Sequence, residues 1–391
     1  MIDPANPQIP YSRQWVDEED IRAVVEVLRS EWLTTGPKVR EFEEALARFV
    51  GAQHGVAVSS GTAAVHAAVY ALGIGPGDEV IVPPMTFVAT ANAVVFQGGT
   101  PVFADVEPDT LLIDPHQVEA KVGPRTKAII AVDYAGQPCD YEALRAIAGH
   151  HGLALVADAC HALGAEYKGT KVGRLGDLNT FSFHPVKHIA TGEGGMVTTD
   201  NPEFAEKMRR FRNHGISTDV RQRMEQGTWH YEMLDLGFNY RLNDMQCALG
   251  LSQLRKLPGW LVRRQVIARR YGELLQSLPQ VSPLAVRPHL FHSYHLYVIC
   301  LNLEDLKASR DQIFTAMRAE GIGVNVHYQP VHLHPYYRQR FRTQAGDCPV
   351  AEEAFQRILS LPMFPAMSDD DVERVVASLT KVIQAYCRGG A

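Results

Sequence analysis

Two side chains set the possible chemistry. Lys187 ends the stretch Phe181-Ser182-Phe183-His184-Pro185-Val186-Lys187, and Thr191-Gly192-Glu193-Gly194-Gly195 comes soon after. A β-type run from Asn179 to Phe183 stops at Pro185 and presents one lysine ahead of a glycine-rich turn. Burial favours the neutral, nucleophilic form of lysine, so a confined lysine suits Schiff-base chemistry. Most lysines are exposed and do no such chemistry. Asp158 changes the balance. It lies 29 positions earlier, closing the run Leu153-Ala154-Leu155-Val156-Ala157. A carboxylate at the end of a buried parallel strand sits where α/β sheets bind ligands. A Schiff-base lysine with an aspartate to pair a pyridinium nitrogen is what pyridoxal 5'-phosphate (PLP) requires.

Other residues fit around that pair. Ser60-Gly61-Thr62 stands where a strand feeds a helix, so free backbone N–H groups and the helix dipole make a phosphate cradle. Ser182 adds a hydroxyl five residues before Lys187. Phe87 follows the Val80-Ile81-Val82 strand and can stack on a flat ring. His161, three residues after Asp158, can hydrogen-bond a phenolic oxygen. Each has a plain structural reading too, as a helix cap, a core aromatic or a satisfied histidine. Their joint order carries the weight.

The elements that must position them alternate. Residues 1–16, with Pro4, Pro7 and Pro10, read as extended. Helices are expected over Asp17–Ser30 and Lys38–Val50. Strands at Val56–Val58, Glu79–Val82, Pro101–Ala104 and Thr126–Val132 then alternate with a helix opened by Ser59-Ser60-Gly61-Thr62 and helices at Ala89–Phe96 and Tyr141–His150, ahead of the Asp158 strand. This rhythm predicts an α/β fold with a mainly parallel sheet. From Arg241 to about Gln276 the pattern is nearly continuous helix, interrupted at Pro258-Gly259. Beyond it come a strand at Leu296–Leu301, a helix at Arg310–Ala319, a strand at Val324–His327 and two closing helices. The expected division is a large cofactor-binding unit over residues 1–257 and a smaller α+β unit over 258–391.

Composition excludes other classes. With 46% apolar and 21% charged residues the chain reads as globular, and a net charge of −6 gives no reason to expect nucleic acid or an anionic membrane as partner. Six cysteines without a CxxC pair point to reduced thiols in a cytoplasmic protein, with no zinc site. No signal peptide and no 18-residue apolar run is found.

Taken together, several stretches resemble one family. They are Ser59-Ser60-Gly61-Thr62-Ala63-Ala64, Pro84-Met85-Thr86-Phe87-Val88-Ala89-Thr90-Ala91-Asn92 and Ala157-Asp158-Ala159-Cys160-His161-Ala162-Leu163-Gly164. The Lys187 segment, Arg212-Asn213-His214-Gly215, Gly237-Phe238-Asn239-Tyr240-Arg241-Leu242 and Val326-His327-Tyr328-Gln329-Pro330 complete the set. Across essentially the whole chain the sequence resembles the DegT/DnrJ/EryC1/StrS sugar aminotransferases, which are fold-type I PLP enzymes. The resemblance implies a seven-stranded large domain, and Lys187 as the Schiff-base amine that also moves protons. It implies Asp158 on the pyridine nitrogen, Ser60, Gly61, Thr62 and Ser182 on the phosphate, Phe87 stacking and His161 at the phenolic oxygen. Asn239 would reach the phosphate in a neighbouring subunit, making a homodimer with interfacial active sites. Tyr11, Thr35, Arg241, His327 and Tyr328 match positions close to the substrate.

Val132-Asp133-Tyr134-Ala135-Gly136 and the Lys187 segment resemble the subgroup of pseudaminic acid biosynthesis. That likeness implies amination at C4 of a UDP-linked 4-keto-6-deoxy-2-acetamido sugar, with L-glutamate as donor. An aminotransferase for another UDP- or dTDP-linked keto sugar is the open alternative. Dehydratases of this family known to replace the lysine with histidine are a weaker match, since Lys187 is present. A nicotinamide enzyme lacks its GxGxxG after the first strand, and a regulatory PLP-binding protein would not need the complete lysine–aspartate pair.

Overall fold

The architecture grows from helices and strands that the local sequence favours. In the computed structural model, which describes residues 8–388, Asp17 caps the helix Glu18–Leu28 by accepting from the N–H groups of Glu19 and Asp20. The helix Pro37–Val50 has proline at its first position and a left-handed Gly51 at its end. Of the extended stretch expected over residues 1–16, residues 1–7 lie outside the described residues; Ile9 makes a single parallel bridge to Ile322.

Among the described residues the main sheet has seven strands. They are β1 (His54–Val58), β2 (Glu79–Val82), β3 (Thr100–Phe103), β4 (Thr126–Val132) and β5 (Ala154–Asp158), then, past the small ladder of β6 (Glu166–Tyr167) and β7 (Thr170–Lys171), β8 (Leu178–Ser182) and β9 (Gly195–Thr199). Their order is β1-β9-β8-β5-β4-β2-β3. Pairing is parallel from β3 through β8 and antiparallel on both sides of β9. The chain is therefore α/β with a mainly parallel sheet, buried on both faces as its apolar strands require. β9 differs because it returns to β8 without a helical crossover. That return, residues 183–194, carries Lys187.

Register places the other half of the pair. Asp158 faces Val132 across β4 and Thr180 across β8, so the aspartate and the return segment leave the same end of the sheet side by side. The helix Gly61–Ala71 buries Ala63, Ala64, Ala67, Ala68 and Ala71. Such small residues let its N-terminus approach the strands closely.

The remaining strands are β10 (Val281–Pro283), β11 (Leu290–Phe291), β12 (Tyr297–Leu301) and β13 (Ile358–Leu361). β10, β12 and β13 form an antiparallel layer, whereas β11 joins β6. Helices Arg310–Ala319, Pro349–Arg357 and Asp369–Tyr386 accompany that layer.

Two expectations are corrected. The helix Asp244–Leu275 runs 32 residues without interruption, with Pro258 inside it. A mid-helix proline costs about 3 kcal/mol. Burial of Leu254, Leu257 and Leu261 around it offsets that cost, at about 1.5–3 kcal/mol per apolar side chain, and Trp260 adds a stack on Trp15 at 6.1 Å. The strand expected at Val324–His327 reduces to one antiparallel bridge, Asn325 to Ser360. Gly323 is bonded to Ile9 instead, and Asn325–Tyr328 turn to line a cavity. We propose that the division into two units falls within the long helix, just beyond residue 258. Leu254, Leu257 and Leu261 belong to the core under the main sheet, and Ile267, Tyr271 and Leu275 to a second core with Ile299, Ile313 and Leu379.

Candidate active site

Lys187 sits on the β8–β9 return, which is pinned at both ends. Phe183 N–H donates to Gly194 O at 2.8 Å, Thr191 N–H to Phe183 O at 2.9 Å, and Lys187 N–H to His184 O at 2.8 Å. Its side chain borders a cavity of about 580 Å³ that Asp158 also lines. Burial lowers the Lys187 ammonium below the ordinary lysine range, while Cys160 and Asp158 pull the other way. Asp158 is 5% exposed. Its Oδ2 accepts from the Thr90 hydroxyl at 2.6 Å and its Oδ1 from Cys160 N–H at 3.3 Å.

The cradle forms where β1 hands over to the helix Gly61–Ala71. Ser60 is the N-cap, accepting from Ala63 N–H at 3.1 Å. Gly61 is required by close approach: a Cβ there would lie 2.7 Å from Ser182 Cβ and 3.0 Å from its Oγ. The helix N-terminus, Thr62 and the Ser182 hydroxyl therefore lie together on the wall of the same cavity, an arrangement suited to an anion.

Aromatic residues shape the rest. Phe87 is 55% exposed for a large apolar ring, and it leans on Tyr328 with centroids 6.1 Å apart. The Tyr328 hydroxyl pairs with His161 Nε2 at 3.0 Å, and His161 Nδ1 is buried without a partner among the described residues. Tyr11 and His327 meet at 5.6 Å, and His327 Nδ1 pairs with the Ser360 hydroxyl at 2.8 Å.

Tyr11, Ser60, Gly61, Thr62, Phe87, Asp158, His161, Ser182, Lys187, His327 and Tyr328 thus share one cavity. Thr35, Arg241 and Asn239 stand apart from it. Thr35 and Arg241 line a separate cavity of about 90 Å³, where Arg241 donates to Asn213 Oδ1 at 2.8 Å. Asn239 is exposed and bridges to the Asn213 backbone. Thr86, Thr90, Cys160 and His295 line the main cavity without having been singled out from sequence. Thr86 lies ahead of the helix Ala89–Phe96 that carries Thr90, so helical spacing gave no signal for the pair. His295 carried none.

Burial holds five histidines around this site neutral. His292 and His327 are lowered to about 3, and His161, His188 and His295 lie well below 6.5, in each case chiefly through desolvation. Because the unfolded chain binds these protons and the folded one does not, their contribution is complete above about pH 6.5 and is lost as pH falls toward 3. From pH 7 to 5.5 the expected loss is about 1 kcal/mol for each of His292 and His327, and the other three act in the same direction. Asp133, whose carboxyl burial raises to about 7, works oppositely and offsets about one or two of these five. Urea unfolding at fixed protein concentration should show a net loss of stability over that interval. A flat profile would refute neutral burial.

The donor set fits PLP. An N-terminal cradle that a Cβ would fill suits a phosphate, and a buried carboxylate that suits a pyridinium lines the same cavity. A lysine whose neutral form burial favours borders the same cavity. Known proteins agree. A profile of the DegT/DnrJ/EryC1/StrS aminotransferase family matches residues 14–380. The spore coat polysaccharide biosynthesis protein SpsC of Bacillus subtilis (strain 168) is 44% identical over 386 residues, covering 98% of this chain and 99% of SpsC. Helicobacter pylori PseC, an aminotransferase involved in the biosynthesis of pseudoaminic acid, superposes with a TM-score of 0.90 at 35% identity, over 97% of this chain and 100% of PseC. Spr1654 of Streptococcus pneumoniae in its PLP-form superposes at 0.89 with 32% identity, over 97% of this chain and 99% of Spr1654, and it is also known in a PMP-form. Matched in sequence and fold from end to end, this chain belongs to the DegT/DnrJ/EryC1/StrS aminotransferase family and is a PLP-dependent sugar aminotransferase.

Proposed function

We propose that the enzyme transfers an amino group from L-glutamate to C4 of a UDP-linked 4-keto-6-deoxy-2-acetamido sugar of L-arabino configuration, the reaction of pseudaminic acid biosynthesis. The observation that carries aminotransfer is the meeting of Lys187 and Asp158 in one cavity with the Ser60–Thr62 cradle. The likeness to PseC supports the choice of sugar. When bound, PLP supplies a carbonyl that captures amines and an electron-poor ring that takes up carbanion charge. Backbone N–H groups at Gly61 and Thr62, with the Ser60 and Ser182 hydroxyls, would hold the phosphate. Asp158 would keep the pyridine nitrogen protonated. Phe87 would stack on the ring and His161 would hydrogen-bond its phenolic oxygen. Neutral Lys187 removes the donor's Cα proton and, in the second half, a proton is delivered to C4 of the sugar, so amine and keto groups exchange without net redox change.

The placement of Thr35, Arg241 and Asn239 outside their own chain's cavity supports a homodimer in which they serve the site of the neighbouring subunit. Nearby Trp229, Met233 and Leu236 are exposed large apolar side chains, as an interface would use. Six free cysteines fit a reducing cytoplasm, and among the described residues no helix is long and apolar enough to cross a membrane.

The 44% identity to a spore coat polysaccharide protein favours a second reading, a different nucleotide-linked keto sugar destined for a surface polysaccharide. One experiment separates them. The absorbance band of the lysine-bound cofactor is bleached with L-glutamate, and UDP-2-acetamido-2,6-dideoxy-4-keto sugars of L-arabino and D-xylo configuration are added separately. Return of the band with the L-arabino sugar alone is expected. Return with the D-xylo sugar alone, or with neither, transfers the assignment to the second reading.

A further inference from the structure

Asp158 is held by more than its strand. Its Oδ2 accepts from the Thr90 hydroxyl at 2.6 Å, and Thr90 Oγ1 lies 2.8 Å from Thr86 Oγ1. A hydroxyl has one proton to give. Thr90 gives its proton to the carboxylate, so Thr86 must donate to Thr90, and the chain runs in one direction: Thr86 to Thr90 to Asp158. Thr86 and Thr90 are 3% and 1% exposed. Buried hydrogen bonds in series polarise one another, and donation to a carboxylate oxygen stabilises its negative charge.

The segment bearing both hydroxyls is itself pinned. Thr86 N–H donates to Pro84 O at 3.1 Å and Thr90 N–H to Phe87 O at 3.2 Å, while Pro84 O also accepts from Val331 N–H at 2.9 Å. Met85 is fully buried and its Sδ accepts from Tyr328 N–H at 3.3 Å. Phe87 lies between the two threonines in sequence and projects into the cavity. One short, rigid segment therefore presents the ring that stacks and fixes the carboxylate that pairs.

We propose that Thr90, backed by Thr86, is a positioning residue for the aminotransfer reaction: the two hydroxyls orient Asp158 and hold its charge toward the pyridine nitrogen. This rests on the assignment of Asp158 to the pyridine nitrogen. Ionisable groups interacting with Asp158 include Lys187, Cys160, Asp133, Tyr141 and Tyr328, and none is altered by changing a threonine.

The test compares PLP-loaded wild type with Thr90→Val, Thr90→Ser, Thr86→Val and Asp158→Asn. Thr90→Val keeps the shape and removes the donor. It is expected to lower the maximal rate of bleaching by L-glutamate about ten- to hundred-fold with half-saturation within about threefold. The pH midpoint of the cofactor's absorbance band should rise by about half a unit or more, because a less well-held pyridinium withdraws fewer electrons. Thr90→Ser should restore both to near wild type, and Thr86→Val should show a smaller change in the same sense. Should Thr90→Val fail to fold, Thr86→Val decides between the outcomes. A wild-type rate and midpoint in the valine variants, or a serine variant as impaired as valine, overturns the proposal. If Asp158→Asn is also near normal, the Asp158 assignment falls instead.

Discussion

Lys187→Ala is expected to abolish turnover, lowering it by at least about 10⁴-fold, while the fold stays intact. The size follows from two roles in one atom. In the proposed assignment Nζ is both the amine that binds the cofactor carbonyl and the base that moves protons. Alanine removes both, and among the described residues no second lysine lines the cavity to take over. His184 borders the same cavity but lies three residues away on the return. The fold should survive because the hydrogen bonds that shape the return are backbone ones, at Phe183, Lys187 and Thr191. Turnover with donor and keto sugar, paired with circular dichroism and gel filtration, checks both halves. Retained catalytic transamination would refute the lysine assignment. The same group sets a pH dependence in the wild type. Its reactive form is the neutral one, and burial lowers its proton affinity, so capture of PLP by the cofactor-free protein, read as growth of the lysine-bound band, should speed up with pH along a limb lying below the ordinary lysine value of 10.5. A limb at or above that value would contradict the burial argument.

Asp158→Asn is expected to leave a folded protein that still binds PLP yet exchanges nitrogen about 10²- to 10⁴-fold more slowly. Asparagine nearly matches aspartate in shape: its carbonyl can keep the Cys160 N–H, while its amide N–H donates to the Thr90 hydroxyl, which turns its own proton toward Thr86. The geometry is kept and the charge goes. Without it nothing favours a proton on the pyridine nitrogen, and the ring loses its capacity to take up carbanion charge. The phosphate cradle is built from residues other than Asp158, at Ser60, Gly61, Thr62 and Ser182, so cofactor affinity should change far less than rate. Stopped-flow bleaching by L-glutamate separates the two. A near-normal rate would sink the role.

Much of this was legible in the chain by itself, because secondary structure and strand ends follow local periodicity. The strands Glu79–Val82 and Thr126–Val132 and the helices Ala89–Phe96 and Arg310–Ala319 form with the bounds expected from sequence. Asp158 closes its strand, and a helix opens within Ser59-Ser60-Gly61-Thr62. Residue type and order were enough to name a lysine, an aspartate and a cradle. Failures appear where distant segments compete. Pro258 reads locally as a break, yet packing of Leu254, Leu257 and Leu261 carries the helix through it. Val324–His327 reads as a strand, yet Gly323 is taken by Ile9 and the next residues turn into the cavity. Hydrogen bonds from Thr90 to Asp158 and from Tyr328 to His161 span 68 and 167 positions; no window of sequence contains both partners. The sequence determined which groups exist and the elements that carry them. Tertiary structure decided which groups meet, because side-chain contact depends on how sheet, helices and returns pack against one another, and that is settled by the whole core at once.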